Sequence, residues 1–280
     1  MNLNAIDYCD ANAPSLFTQS LRDTGFGVLK NHPISERNVR QIYTHWQSFF
    51  ESDAKHNFLF NKERFDGFFP ADMAESAKGH TTRDLKEYFH YYPWGQCPDT
   101  LRHDIENYYT ATTRFAAEIL DWVHQHTPEQ VKTNFSEPLS GMIKDCSQSL
   151  LRILHYPPID ADHAPDAVRA QAHEDINLLT ILPAANEPGL QVQARNGEWL
   201  DVPCEFGHLI INTGDMLQEV SDGYYPSTTH RVINPDGFSR EKSRVSLPLF
   251  LHPRPEVVLS KRYTAGSYLS ERIAELQESS

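Results

Sequence analysis

The feature that most constrains the fold is a series of short strand-like segments in the C-terminal half, with no helical pattern between them. These segments span residues 150–157, 176–184, 190–195, 198–203, 208–213, 215–220, 227–234 and 244–252. Turn residues separate them, and Asn196-Gly197 between two apolar runs is a strong signal for a two-residue hairpin. About eight short strands in succession predict a jelly roll, in which two facing sheets enclose a cavity.

The N-terminal half carries helical patterns instead. Apolar residues recur at three- and four-residue steps and predict helices at 14–24, from Ser35 onward, at 98–126, at 128–143 and, near the C-terminus, at 267–277. Two strands are predicted in this half, Gly25 to His32 and an aromatic run from Tyr88 to Tyr92. The predicted fold is mainly β with a helical layer, a double-stranded β-helix (jelly roll, cupin-like) core plus an N-terminal α/β region.

We expect one structural domain with three regions. Residues 1–145 form the helical and α/β region, residues 146–255 the jelly-roll core, and residues 256–280 a C-terminal helix. A chain of 280 residues is long enough to bury a substantial core in this way.

Composition excludes several classes of partner. The formal charge of -13 and the sequence pI near 5.5 argue against nucleic acid or an anionic membrane surface. The sequence has no apolar run approaching the ~20 residues of a membrane span and no signal-peptide pattern. The four cysteines, Cys9, Cys97, Cys146 and Cys204, are scattered without metal-binding spacing. We therefore expect a reduced, cytoplasmic protein that is a monomer or a homodimer.

Three residues have the spacing of a metal site. His173 is the only one of the 14 histidines that is followed two residues later by a carboxylate, Asp175, and His230 lies well beyond them. Two histidines and one carboxylate can hold Fe(II) on one face and leave the opposite positions open. On spacing alone, the alternative is that His173 and Asp175 are loop residues and that His230 is an ordinary core histidine.

A second motif follows the last histidine. Arg244 is the only arginine with a serine two residues later, Ser246. Arginine presents a rigid fork of donors that matches a carboxylate. The pair is therefore a candidate site for a carboxylate-bearing cosubstrate beside the metal.

Several segments together resemble a known family, the isopenicillin N synthase-like Fe(II)- and 2-oxoglutarate-dependent (iron/ascorbate) oxygenases. The resemblance covers most of the chain. It rests on Thr24 to His32, Asp84 to Phe89, Gly189 to Val192, Trp199 to Val202, Leu209 to Asp215, Ser227 to Val232 and Arg244 to Phe250.

The resemblance implies a set of roles. His173, Asp175 and His230 would be the catalytic iron ligands, while 2-oxoglutarate and O2 take the open positions. Arg244 and Ser246 would hold the distal carboxylate of 2-oxoglutarate, and Tyr156 would add a hydrogen bond. The family couples decarboxylation of 2-oxoglutarate, to succinate and CO2, with hydroxylation, desaturation or ring closure of a small molecule, in some cases with ascorbate as reductant. Leu154 departs from the family, which often has asparagine there.

Two residues are candidates for substrate binding. Arg152 alternates in phase with Tyr156 and would turn toward the same cavity, where a positive charge needs an anionic partner. That partner is either the carboxylate of a substrate or a structural Asp or Glu. Phe89 belongs to the aromatic run, some of whose members must face either a pocket or the core.

Other functions remain open at this stage. Some relatives of the family dispense with 2-oxoglutarate, and a zinc or manganese cupin-like enzyme has similar ligands. A non-catalytic binding protein on the same scaffold is a further alternative. Substrate identity is not predicted, because one fold hosts many substrates.

Overall fold

The computed structural model of the chain describes residues 3–73, 85–158, 169–184, 189–203, 205–234 and 242–278. Its helices are α1 (Ala13–Thr24), α2 (Glu36–Phe50), α3 (Asp99–His126), α4 (Glu129–Lys132), α5 (Leu139–Met142), α6 (Asp215–Val220) and α7 (Ala265–Glu278). Its strands are β1 (Ala5–Asp7), β2 (Phe26–Lys30), β3 (Gly67–Phe69), β4 (Glu87–Tyr91), β5 (Leu150–Tyr156), β6 (Ala170–His173), β7 (Leu179–Pro183), β8 (Leu190–Gln193), β9 (Trp199–Asp201), β10 (Leu209–Thr213), β11 (His230–Val232), β12 (Arg244–Ser246) and β13 (Leu249–Leu251).

The strands form two sheets. The large sheet has the order β1-β2-β10-β7-β13-β5-β4-β3, and β12 pairs with β5 beside this path. The small sheet has the order β6-β11-β8-β9. Within the described residues neither sheet closes on itself, so the core is an open jelly roll of two facing sheets.

The two faces of the large sheet have different neighbours. Its inner face meets the small sheet, where Phe26, Val28 and Ile210 pack against Val192 and Val232. Its outer face packs against the long helices. That outer core includes Phe17, Leu21, Ile42, Trp46, Phe50, Ile105, Phe115, Ile119, Leu151, Ile153, Ile181 and Ile211. Because side chains alternate along each strand, the inner face is free to carry a site while the outer face carries the packing.

Helix α2 illustrates why the helical layer forms. The Ser35 side chain accepts a hydrogen bond from the Asn38 backbone N–H and so caps the helix. Val39, Ile42, Trp46 and Phe50 then recur on one buried side. The apolar residues that the sequence predicts on one side of this helix are the residues that the structure buries.

Most predicted elements are present, with several corrections. Residues 215–220, predicted as a strand, form helix α6, because Met216, Leu217 and Val220 are buried at helical spacing. The single helix predicted at 128–143 is two short helices, α4 and α5, and Pro138 starts the second. The strand predicted at 244–252 is divided into β12 and β13 around Pro248, which has no N–H for a ladder.

Three short strands, β1, β3 and β6, were not predicted. Strand β6 matters most, since it ends at His173. Asp84 of the aromatic motif and Cys204 lie outside the described residues. None of the described helices is long and apolar enough to cross a membrane.

Candidate active site

The small sheet brings the two candidate histidines next to each other. His173 is the last residue of β6 and His230 the first of β11, and the two lie directly opposite each other in an antiparallel pair. Their ring centroids are 4.4 Å apart. Opposed residues on neighbouring strands point to the same face, so both imidazoles project from one face of the sheet.

Backbone carbonyls determine which nitrogen of each ring is available. Nδ1 of His173 lies 2.7 Å from the Gln171 carbonyl oxygen, and Nδ1 of His230 lies 3.1 Å from the Thr228 carbonyl oxygen. A carbonyl only accepts, so each Nδ1 carries a proton, and Nε2 is the nitrogen left to bind a metal when the ring is neutral. Such a hydrogen bond behind the ring is the usual way to orient a metal-binding histidine.

Asp175 completes the set from the loop that follows β6. Its Oδ1 lies 3.8 Å from Nε2 of His173 and 3.7 Å from Nε2 of His230. Its other oxygen, Oδ2, accepts hydrogen bonds from the Thr180 hydroxyl and, at 2.8 Å, from the Asn212 side-chain amide. One carboxylate oxygen is therefore held by the large sheet, while the other faces the two imidazoles.

The three side chains fit a divalent metal ion. One ligand atom from each lies within 4.8 Å of the others, and within the described parts of the chain this is the one cluster of three such residues found. Two neutral imidazoles and one carboxylate form the donor set of non-haem Fe(II) oxygenases.

The surroundings also set the charge of these groups. Burial by itself would raise the pKa of Asp175, but the imidazoles of His230 and His173 and the hydrogen bonds from Thr180 and Asn212 together hold it below its usual value. The surrounding protein, followed by the proximity of His230, lowers the pKa of His173 below its usual value, although 43% of its side chain is exposed. The carboxylate is thus ionised and the His173 imidazole neutral near pH 7, as metal binding requires.

Arg244, Ser246 and Tyr156 come together on adjacent strands. Arg244 pairs with Tyr156 and Ser246 with Leu154 in the β12–β5 ladder. The Arg244 guanidinium is buried and lies 5.6 Å from the centre of the Tyr156 ring. The geometry groups the three residues that the sequence assigned to a cosubstrate carboxylate.

Arg152 lies on the same side of β5 as Tyr156. Its Nε donates to Nε2 of His90 at 2.9 Å, and its guanidinium lies 4.8 Å from the Tyr88 ring centre and 5.5 Å from that of Phe250. The side chain is half-buried. It is therefore held by rings on both sides within the inner face.

Phe89 is not brought to the site. It is fully buried on the outer face of β4, 5.0 Å from the ring of Trp46 and 5.9 Å from that of Phe49 in α2. Its neighbours Tyr88 and His90 face inward instead, because side chains alternate along the strand. The sequence-based assignment of Phe89 to substrate binding is at odds with this position.

Several residues near the site were missed by sequence reasoning. Thr180 and Asn212 had a signal, since each is a polar residue in a mainly apolar strand, at the phase of the inner face. Arg169 is fully buried with its guanidinium 5.8 Å from the Tyr156 ring, and His252 follows β13. These two had no local signal, because only the fold places them beside the predicted residues.

Comparison with protein families matches both halves of the chain. Residues 147–253 match the model of the 2OG-Fe(II) oxygenase superfamily. Residues 11–112 match the model of the N-terminal region of non-haem dioxygenases in morphine synthesis. The first match contains the three candidate metal ligands and Arg244.

A curated relative aligns along almost the whole chain. Gibberellin 2-beta-dioxygenase 1 of Pisum sativum is 27% identical over 97% of this chain and 78% of its own length. Alignments with further dioxygenases from Arabidopsis thaliana and Monascus cover only 40–50% of those proteins. These names describe the relatives and do not identify the substrate of this chain.

Solved structures share the fold. A provisionally named oxygenase from Shewanella oneidensis is 58% identical, covers 99% of both chains and superposes with a TM-score of 0.91. A full-length Neurospora crassa protein in complex with alpha-KG is 22% identical, covers 97% of this chain and 96% of its own, and has a TM-score of 0.80. The second likeness, at its low identity, concerns the fold alone.

Proposed function

Because the chain belongs to the Fe(II)- and 2-oxoglutarate-dependent oxygenase superfamily, and is a non-haem iron dioxygenase, we propose that His173, Asp175 and His230 are its iron ligands. The observation that carries this proposal is the convergence of the three ligand atoms within 4.8 Å, with both imidazoles oriented by backbone carbonyls. Iron, when bound, supplies the O2 chemistry that organic side chains lack.

Arg244 is the proposed anchor of 2-oxoglutarate. It is a buried cation next to the Tyr156 ring, and Ser246 follows on the same side of β12. A guanidinium can hold the distal carboxylate in bidentate fashion while the serine hydroxyl donates one more hydrogen bond. Together they would place the 2-oxo-acid end of the cosubstrate toward the metal.

The proposed reaction is oxidation of a C–H bond in a small anionic molecule. Decarboxylation of 2-oxoglutarate to succinate and CO2 supplies two of the four electrons that reduce O2, and the substrate supplies the other two. Arg152 supports the anionic character, since it is a half-buried cation on the inner face, held by His90. Product analysis will distinguish hydroxylation, desaturation and ring closure.

Succinate release tests the function directly. Purified protein supplied with Fe(II), 2-oxoglutarate and O2 should release succinate, and release should require the metal. His173→Ala and Asp175→Ala should each lose bound iron and this activity, whereas the exposed residue His103 offers a control, His103→Ala, that keeps both. Full iron occupancy in the His173 and Asp175 variants would show that the ligands are misassigned.

A second experiment tests the role of Arg152. A panel of small organic acids is screened for compounds that stimulate succinate release, and the ratio of stimulated to unstimulated release is measured. In Arg152→Met this ratio should fall toward one. An unchanged ratio would refute the substrate role. A large drop in melting temperature with all turnover lost would instead indicate a structural salt bridge.

A further inference from the structure

His252 occupies the same inner face as Arg152, on the other side of the Phe250 ring. Phe250 lies opposite Thr180 of β7 and Leu150 of β5, and opposed residues share a face. Alternation along β13 then directs His252 to the side of Phe250, Thr180 and Leu150. Arg152 follows Leu150 by two residues and so points the same way.

A backbone hydrogen bond connects the strand before His252 to the metal loop. The Leu178 N–H donates to the Leu251 carbonyl oxygen at 2.9 Å, which holds β13 against the loop that carries Asp175. Burial strongly lowers the pKa of His252, to about 4, with Asp175 raising it and Arg152 lowering it by smaller amounts.

The hydrogen bonds of His252 determine what it can offer. Its Nδ1 lies 3.3 Å from the Phe250 carbonyl oxygen, so Nδ1 carries the proton and Nε2 a lone pair. Its backbone N–H donates to the Ser149 hydroxyl at 3.3 Å, which fixes the chain at this point. Among the described residues, Nε2 has no hydrogen-bond partner, and the buried ring is neutral. A hydrogen-bond acceptor is thus available on the inner face that also carries the Arg152 cation.

Arg152 offers the complementary chemistry in a fixed position. Because an arginine Nε always carries a proton, Nε2 of His90 must accept it, and Nδ1 of His90 must donate to the Phe65 carbonyl oxygen at 3.0 Å. This chain of hydrogen bonds orients the guanidinium from behind. A ligand against this face would meet the Arg152 guanidinium and an acceptor on His252.

We propose that His252 is a specificity-determining residue, which accepts a hydrogen bond from a hydroxyl or ammonium group next to the carboxylate that Arg152 binds. The substrate class is therefore 2-hydroxy or 2-amino acids rather than simple carboxylic acids. This inference rests on the proposed function and adds the second point of recognition. A site with such an acceptor disfavours a ligand that lacks the donor, because the acceptor is then desolvated without compensation.

Two matched series of acids provide the test. The first is propanoate, lactate and alanine; the second is 3-phenylpropanoate, 3-phenyllactate and phenylalanine. Within each series only the group at C2 changes. The apparent binding constant of each acid is measured as stimulated succinate release by the iron- and 2-oxoglutarate-loaded enzyme.

In the unmodified enzyme, a member with a donor at C2 should bind about threefold to tenfold more tightly than the bare acid, the range expected for one hydrogen bond. In His252→Phe this ratio should fall to near one, and in His252→Gln, which retains an acceptor oxygen, it should be largely kept. Because the ratio compares two acids in one preparation, loss of folded protein cancels, and the glutamine variant serves if the phenylalanine variant does not fold.

The outcomes separate this inference from the proposed function. Equal constants within both series, no stimulation by any of the six acids, or an undiminished ratio in His252→Phe would overturn the role of His252. Iron-dependent succinate release without an added acid would still be present in those cases. Absence of that basal release would contradict the proposed function itself.

Discussion

At the scale of single residues, Asp175 shows how one side chain contacts both sheets. Its Oδ2 is held by Thr180 and Asn212 of the large sheet, while Oδ1 faces the imidazoles of the small sheet. A carboxylate bound at one oxygen cannot rotate freely, so the other oxygen is pre-positioned for the metal. Such support is usually as important to a metal site as the ligands.

Site residues that lie in a distinctive sequence motif could be predicted, and those without such a motif could not. The spacing of His173 and Asp175 and the unique Arg244–Ser246 pair identified candidates directly. His252 could not be found in that way, because no motif in the neighbouring sequence marks this histidine as a site residue. Its placement on the inner face depends on the pairing of β13 with β7, which is a property of the whole sheet.

The proposed anchor of 2-oxoglutarate gives a prediction at this scale. In Arg244→Leu the apparent 2-oxoglutarate constant should rise by about 30-fold or more, since removal of one partner leaves the other charge buried and unpaired. Iron binding should persist, because the three ligands are unchanged. Titration of succinate release against 2-oxoglutarate measures the apparent constant, and the iron content of the purified variant measures iron binding.

Arg231 is the matched control for this substitution. It adjoins the ligand His230, but its Nε donates to Gln191, and its guanidinium lies 4.0 Å from the Trp199 ring centre. Arg231→Leu should leave the 2-oxoglutarate constant unchanged. An unaltered constant in Arg244→Leu as well would indicate an enzyme that uses no 2-oxo acid.

At the scale of elements, the start of α6 supports the metal loop. The backbone N–H groups of Gly214 and Asp215 donate to the carbonyl oxygens of Leu178 and Asp175, at 3.0 and 2.7 Å. A Cβ atom on Gly214 would lie 2.1 Å from the Asn177 carbonyl oxygen. This close approach explains why the junction of β10 and α6 contains glycine.

We therefore expect Gly214→Ala to displace the loop that carries Asp175. The overpacking should cost about 1–3 kcal/mol of unfolding free energy and should also weaken iron binding. Gly197→Ala is the control: its φ of 87° strains an alanine, but nothing lies within 4 Å of the added Cβ atom and the hairpin is remote from the ligands. Thermal unfolding and iron titration compare the two variants; equal iron affinity in both would refute the link between α6 and the metal loop.

The same helix shows where sequence reasoning failed for elements. The strand predicted at Asp215–Val220 lies in a series of strands, although the apolar residues of this segment follow a helical spacing. Six residues are too few for periodicity to decide between the two. Longer patterns were decisive, as in α2 and α3, whose stripes extend over 15 and 28 residues.

A buried charge cluster between β4, β5 and the turn after α2 leads to a pH prediction. Glu87 Oε2 lies 2.9 Å from Lys55 Nζ, and Glu87 Oε1 lies 2.8 Å from Nδ1 of His155. Burial would raise the pKa of Glu87, but hydrogen bonds from His155 and Lys55 outweigh it and lower the pKa below its usual value. A lowered pKa stabilises the fold above the unfolded value, near 4.5, and the contribution is lost as the pH falls through the folded pKa.

Glu87→Gln should therefore lower the unfolding free energy at neutral pH, by about 3–5 kcal/mol if the Lys55 charge remains buried without its partner. The difference from the unmodified protein should shrink as the pH falls below about 4. Glu205→Gln, at a position whose side chain is 82% exposed, should change little at any pH. Denaturant unfolding at several pH values measures both; a pH-independent difference would exclude the charge cluster as its cause.

At the scale of the whole molecule, the predicted and the unpredicted parts of the fold have different origins. Period-two patterns and turn residues identified most strands of the core, because the alternation of residue types within a strand reflects which of its faces is buried. The pairing of β6 with β11, which makes the histidines neighbours, joins segments far apart in the chain. That pairing depends on the closure of the small sheet over the large one, and no local pattern encodes it.

The position of the candidate metal centre between the two sheets leads to a final prediction. His173 and His230 belong to the small sheet, whereas Asp175 is hydrogen-bonded to β7 and β10 of the large sheet. A metal ion bound to all three residues would therefore tie the sheets together. Because the ion binds the folded state, a concentration about 100 times its dissociation constant should add about 2.7 kcal/mol to the unfolding free energy, and the melting temperature should rise by several degrees.

Fe(II) under anaerobic conditions, or Mn²⁺ as a redox-stable substitute, can be used for the measurement. Hydrogen exchange should slow in both sheets, at β11 and at β10, because opening of either would break the metal site. The rise in melting temperature should disappear in Asp175→Ala and persist in His103→Ala. If metal slowed exchange in the small sheet alone, the two histidines would be binding it without Asp175, and the connection between the sheets would be refuted.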